Sequence, residues 1–157
     1  MHDRRLLLIS RDDILQATLE SKDTRLFREL ARLTRGDFHL LATAPQPDRW
    51  SSSHGGPDDA LLGPDSIRKR LSDAGGTLDG VYYVPRSLLT QKRNRVQALE
   101  DILSRYSVSA ERCYLLSSHK NFVRAANSLG IVATLLSNQD RLMNAVTELS
   151  KKTLKES

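Results

Sequence analysis

Cysteine is nearly missing from this chain. A single thiol, Cys113, stands among 157 residues, so no internal disulfide can form, and its place inside an apolar run reads as a buried, inert side chain. One Cys and four scattered His residues do not supply the spacing of a structural zinc site. Aromatic residues are only 5%, which leaves few platforms for stacking single-stranded nucleic acid. The apolar runs are far too short to cross a bilayer. Met1-His2-Asp3-Arg4-Arg5 is basic, but only Leu6 to Ile9 follows as an apolar run, with no small-residue cleavage pattern. That is not the form of a secretory signal, and the cytoplasm is the expected compartment. The Gly-x-Ser-x-Gly elbow of serine hydrolases is missing too.

What is there reads as a globular α/β protein. The hydrophobic fraction of 39% and charged fraction of 27% are ordinary, and the length suits one domain over residues 1–157. Leu6-Leu7-Leu8-Ile9 is a short unbroken apolar run, the mark of a strand buried on both faces. Ser10, Arg11 and Asp12 follow it. In open parallel sheets, ligands sit outside the carboxyl ends of the strands, so these residues are the first candidates for a site.

Strand-like and helix-like stretches then alternate. Asp12 to Asp23 is polar with scattered apolar residues and reads as a loop with room for a helical turn. Thr24 is placed to cap a helix over Arg25–Leu33, and Phe38–Ala42 is a second strand ending at Thr43. Residues 44–65 hold Pro45, Pro47, Pro57, Pro64 and a Ser51-Ser52-Ser53-His54-Gly55-Gly56 tract, a flexible surface loop with the only tryptophan, Trp50, inside it. A basic helix over Ser66–Ala74 stops at Gly75-Gly76. Leu78–Val84 is a third strand, Val96–Tyr106 a helix, and Cys113–Leu116 a fourth strand. A helix from Lys120 to Leu129 ends at Gly130, and Ile131–Leu136 is a fifth strand. The tail over 139–155 is amphipathic, with Leu142, Ala145, Val146 and Leu149 on one face. This alternation predicts a three-layer, Rossmann-like fold: a five-stranded, mainly parallel sheet with helices on both faces and no large cap domain.

Asp79-Gly80-Val81-Tyr82-Tyr83, the strand–helix–Gly run from Tyr114 to Gly130 and the order of the segments together resemble the haloacid dehalogenase-like phosphatases. The similarity extends over roughly Arg5 to Leu136 and is nearest the small, nearly capless histidinol-phosphate and heptose-bisphosphate phosphatases. The resemblance implies a nucleophilic aspartate ending the first strand, an acid/base aspartate two residues on, a phosphate-binding hydroxyl, a lysine and late acids that hold Mg²⁺. Here the nucleophile position falls on Ser10, and Asp12 retains the acid/base position. Asp13 replaces the usual glycine. Thr43 and Lys92 match the phosphate-binding hydroxyl and lysine. Ser118 and Phe122 stand where the late acids belong, and Val84 to Gln91 carries no ligands of a zinc loop.

With these carboxylates gone, Mg²⁺ binding is not expected, nor any other cofactor, and the resemblance implies an inactive phosphatase-like protein that acts through binding. Thr43 and Lys92 remain candidates for phosphate. Trp50, Arg68, Arg70, Leu142 and Leu149 are candidate contacts for a protein partner or a second copy. Two other readings stay open. One is a hydrolase with altered, metal-independent chemistry built on Ser10, Asp12, His119 and Lys92. The other is a basic module: the net charge of +5 and the clusters Arg68-Lys69-Arg70, Lys92-Arg93-Asn94-Arg95 and Lys151-Lys152 would attract nucleic acid or another polyanion.

Overall fold

The computed structural model describes residues 4–20, 25–45, 67–84, 92–136 and 139–156. The expected loop over 44–65, with Trp50, lies almost wholly outside them. Five strands form one sheet: β1 (Arg5–Ser10), β2 (Phe38–Pro45), β3 (Gly80–Val84), β4 (Cys113–Ser117) and β5 (Val132–Leu135). Their order is β3-β2-β1-β4-β5, and every neighbouring pair is parallel. The helices are α1 (Arg11–Glu20), α2 (Arg25–Arg35), α3 (Ile67–Asp73), α4 (Lys92–Tyr106), α5 (Lys120–Ser128) and α6 (Gln139–Glu156), with a 3₁₀ turn at Ala110–Arg112. The α/β prediction holds.

β1 is the centre because its side chains serve two cores. Leu7 and Ile9 join a cluster with Ile14 of α1, Phe27 and Leu30 of α2, Ile67 and Leu71 of α3, and Leu142 and Val146 of α6. Leu6 and Leu8 point to the other face and meet Leu99 and Ile102 of α4 and Phe122 and Ala126 of α5. A strand clothed on both faces has no polar side to show, which explains the unbroken apolar run. Cys113 lies in the second cluster, and burial pushes its thiol up to about 12. Among the described residues, no helix is long and apolar enough to cross a membrane.

Helix ends follow local chemistry. At the end of α5, Gly130 (φ +90°) donates to Asn127 O and Ile131 donates to Ala126 O. This paired arrangement satisfies the last carbonyls and places a left-handed residue where glycine fits best. α4 ends in the same way, with Ser107 N donating to Ser104 O and Val108 N to Leu103 O, but the left-handed residue is Ser107, at φ +52°. Replacing it with glycine removes the Cβ strain. Ser107→Gly is expected to raise the unfolding free energy by about 0.5–1 kcal/mol, read as a higher urea midpoint with unchanged slope.

Several boundaries depart from the sequence reading. The stretch read as a loop after β1 is helix α1. Its apolar periodicity is faint, but Asp12 and Asp13 lie in its first turn, where carboxylates favour helix formation. α4 begins at Lys92 rather than Val96, and β3 at Gly80 rather than Leu78. The tail is corrected as well. Leu142 and Leu149 were candidate partner contacts, yet they are 1% and 7% exposed and belong to the chain's own core. An amphipathic helix beside an unfilled sheet face buries its stripe there first.

Candidate functional site

The carboxyl edge of the sheet gathers hydroxyls. Ser10 ends β1 in register with Thr43 of β2, and Thr43 is in turn level with Tyr82 of β3. Ile9 pairs with Leu116, so Ser10 and Ser117 finish their strands at the same height. Thr43 and Ser117 are buried, and the Ser117 hydroxyl accepts the backbone N–H of His119 at 3.0 Å.

One side chain links the two halves of this edge. Asp13, in the first turn of α1, accepts the backbone N–H of Ser118 at 3.0 Å through Oδ2 and the Ser118 hydroxyl at 2.6 Å through Oδ1. A carboxylate holding one N–H and one O–H has a donor for each oxygen, and hydrogen bonds to an ionised group are the stronger kind. The clasp ties the β1–α1 junction to the β4–α5 junction. Asp12 points elsewhere. It is well exposed and meets the guanidinium of the adjacent Arg11 at 3.3 Å. Arg11 itself is mostly covered, with Nε buried and without a hydrogen-bond partner.

The remaining candidates are dispersed. Lys92 is the first residue of α4, and its side chain lies outside the described residues. His119 caps α5: its Nδ1 accepts the Phe122 N–H at 3.3 Å. A ring that accepts at Nδ1 carries its proton at Nε2 when neutral, so His119 is poorly disposed to act as a base toward Ser10. Phe122 is spent on the core beneath α5. The basic cluster on α3 is occupied within the molecule. Arg68 donates to Leu78 O at 3.0 Å, Lys69 meets Asp73 at 3.3 Å, and the Arg70 guanidinium lies 4.5 Å from the centre of the Phe27 ring. Arg95 is buried. These contacts engage the α3 cluster within the molecule, while Lys151 and Lys152 on α6 stay exposed.

The marked pKa shifts here belong to Tyr82 and its partner on α4. The Tyr82 hydroxyl, desolvated and hydrogen-bonded to Asp101 at 2.8 Å, is pushed up to about 12. The same bond, with Arg105 beside it, holds Asp101 below the ordinary carboxylate range.

Solved structures now give this arrangement a context. No family model matches the sequence, and no curated protein matches it. An uncharacterized protein from Corynebacterium glutamicum is similar in structure, at 19% identity and a TM-score of 0.63, over 94% of this chain and 95% of that one. The D,D-heptose 1,7-bisphosphate phosphatase from B. bronchiseptica, solved with magnesium and phosphate, is similar at 17% identity and a TM-score of 0.65, over 98% and 99%. The fold is haloacid dehalogenase-like. At these identities the likeness concerns the fold.

By the resemblance to the haloacid dehalogenase-like phosphatases, a late acid that holds Mg²⁺ is expected where Ser118 stands, whereas Asp13 stands in the place of the usual glycine. Mg²⁺ requires near-octahedral oxygen ligation, with carboxylates foremost. Here Asp13 is committed to Ser118, Asp12 is turned to solvent beside a cation, and Ser10, Thr43 and Ser117 among the described residues of the edge offer neutral hydroxyls. Among the described residues, no group of three His, Cys, Asp or Glu side chains is placed to hold a metal. The donor set does not fit the ion. The sequence signals for the clasp were both visible, an added Asp13 and a Ser118 in an acid's place, but they lie 105 residues apart. Only the fold shows that each answers the other.

Proposed function

We propose that this chain is a catalytically inactive, phosphatase-like protein that works by binding rather than by turnover. The observation that carries the reading is the Asp13–Ser118 clasp, which commits a carboxylate at the sheet's carboxyl edge to hydrogen bonds with the serine that stands where the resemblance expects a metal-binding acid. Ser10 adds to it, since a serine hydroxyl is a weak nucleophile without a base beside it, and His119 uses its acceptor nitrogen to cap a helix. Loss of metal removes a main stabiliser of charge in phosphoryl transfer. Thr43, buried at the sheet's carboxyl edge, and Lys92, by its match to the family lysine, are the residues proposed for residual anion binding, and a protein partner or a second copy is the expected macromolecular ligand. A cytoplasmic setting suits the lone thiol.

A second reading is an altered phosphatase in which exposed Asp12 still acts as acid or base. Its accessible carboxylate at the sheet edge favours it. Turnover of an aryl phosphate and of a panel of sugar phosphates in Mg²⁺, with Asp12→Asn alongside, separates the two. The binding reading expects the wild type to match Asp12→Asn at background. Hydrolysis that Asp12→Asn abolishes would establish the altered enzyme instead.

A further inference from the structure

The sheet has one edge whose chemistry matches itself. β5 pairs with β4 on one side only. Leu136 N donates to Ser117 O at 2.8 Å across that pair. Backbone groups alternate sides along a strand, so Val132 and Thr134 also turn their amides to β4. Ala133 and Leu135 turn theirs outward. Edge strands are ordinarily guarded by charge, proline or a bulge. Val132-Ala133-Thr134-Leu135 has no charge and no proline. Val132 and Leu135, 41% and 43% exposed, are the large hydrophobic residues left open among the described residues.

A groove of about 720 Å³ runs beside this strand, because α6 packs against α1 and α2 and leaves the β5 side of that face bare. Tyr114, Leu116 and Val132 line it, and Glu148, Lys151 and Lys152 stand along the α6 side. Both signs of charge share one rim. A purely anionic partner would meet Glu148, and a purely cationic one would meet the lysines. A surface with the same two signs, turned by a two-fold axis, satisfies both.

We propose that two copies of this chain associate through β5, antiparallel about a two-fold axis at Thr134, to form one continuous sheet. This goes beyond the phosphatase-like reading and does not depend on it. In that register, Ala133 of each copy lies opposite Leu135 of the other, and each pair exchanges both its N–H and its C=O. Thr134 meets Thr134 on the axis, a favourable cross-strand pair. The two α6 helices flank a common trough, with Glu148 of one copy facing Lys151 and Lys152 of the other. Such an interface is isologous and closes at the dimer.

The geometry supplies a selective test. Leu135→Pro deletes an amide that faces the partner and none that serves the chain's own sheet, as edge positions tolerate. Sedimentation of the wild type should give twice the 17.6 kDa chain mass. Leu135→Pro should weaken association at least about tenfold, with an unchanged far-ultraviolet spectrum. Glu148→Lys should weaken it as well, and Lys151→Glu with Lys152→Glu should restore it in combination. Should Leu135→Pro fail to fold, amide exchange of the wild type decides: the Ala133 and Leu135 amides gain protection as concentration rises, while Thr134 is protected throughout. A wild type that stays monomeric at its highest soluble concentration overturns the proposal. So does a dimer whose Leu135 amide exchanges freely or that survives Leu135→Pro intact, since its interface lies elsewhere.

Discussion

Leu8→Ala is expected to destabilise the protein by about 2–5 kcal/mol. Leu8 is wholly buried, with Leu41 and Leu115 beside it in the flanking strands, and it belongs to the core beneath α4 and α5. Truncation there loses the transfer free energy of the side chain and leaves a void that a strand held on both sides cannot collapse. Total stabilities of domains this size are only about 5–15 kcal/mol, so a large share of the margin disappears. Urea unfolding should show a much lower midpoint with an unchanged slope. A loss below about 1 kcal/mol would mean that β1 is not the centre of the core.

Ser118→Asp is expected to be the most damaging single change at the sheet edge. The Ser118 hydroxyl donates to Asp13 at 2.6 Å, and an aspartate there sets one carboxylate against another. The variant loses a charge-assisted bond and gains like-charge repulsion, together about 1–3 kcal/mol at neutral pH. Acidification should recover part of the loss, because protonating either carboxyl group restores an O–H donor between them. Millimolar Mg²⁺ should recover part of it as well, since the variant recreates a carboxylate pair suited to that ion. Ser118→Ala serves as the control: it loses the bond, gains no repulsion and should not respond to Mg²⁺. Thermal melts across pH and Mg²⁺ concentration measure all three effects. If Ser118→Asp melts like the wild type, the clasp is incidental.

The strands were legible because burial on both faces writes a plain signal, as in Leu6 to Ile9. Gly130 likewise announced the end of α5, where a left-handed residue is required. Helix α1 was not legible, since its face carries few apolar residues and its start is favoured by dipole electrostatics rather than periodicity. The tail showed its stripe without showing where the stripe goes. By sequence the stripe of Leu142 and Leu149 most often packs on the chain's own sheet, with a partner as the alternative, and the bare sheet face took them. At the site, each substitution could be read singly: Ser10, Asp13, Ser118 and Phe122 all stand out against the family pattern. Their joint meaning could not be read, because a hydrogen bond between residues far apart in the chain exists only once β1 and β4 lie side by side. Charge clusters were misleading for a related reason. Arg68 and Arg70 look like a cationic patch in the sequence, but one meets a carbonyl and the other a ring.

The central proposal is that the folded protein holds no Mg²⁺ at this edge, where Asp13 is committed to Ser118. The most direct measurement is the thermal melt of the wild-type protein in millimolar Mg²⁺ against the same protein in excess chelator. A ligand that binds the folded state alone raises its stability by RT ln(1 + L/Kd), with L the free ligand concentration, so a bound ion shows as a higher midpoint. The account predicts superimposable melts. A midpoint that rises with Mg²⁺ and falls with chelator would contradict it, because the folded protein would then hold the ion.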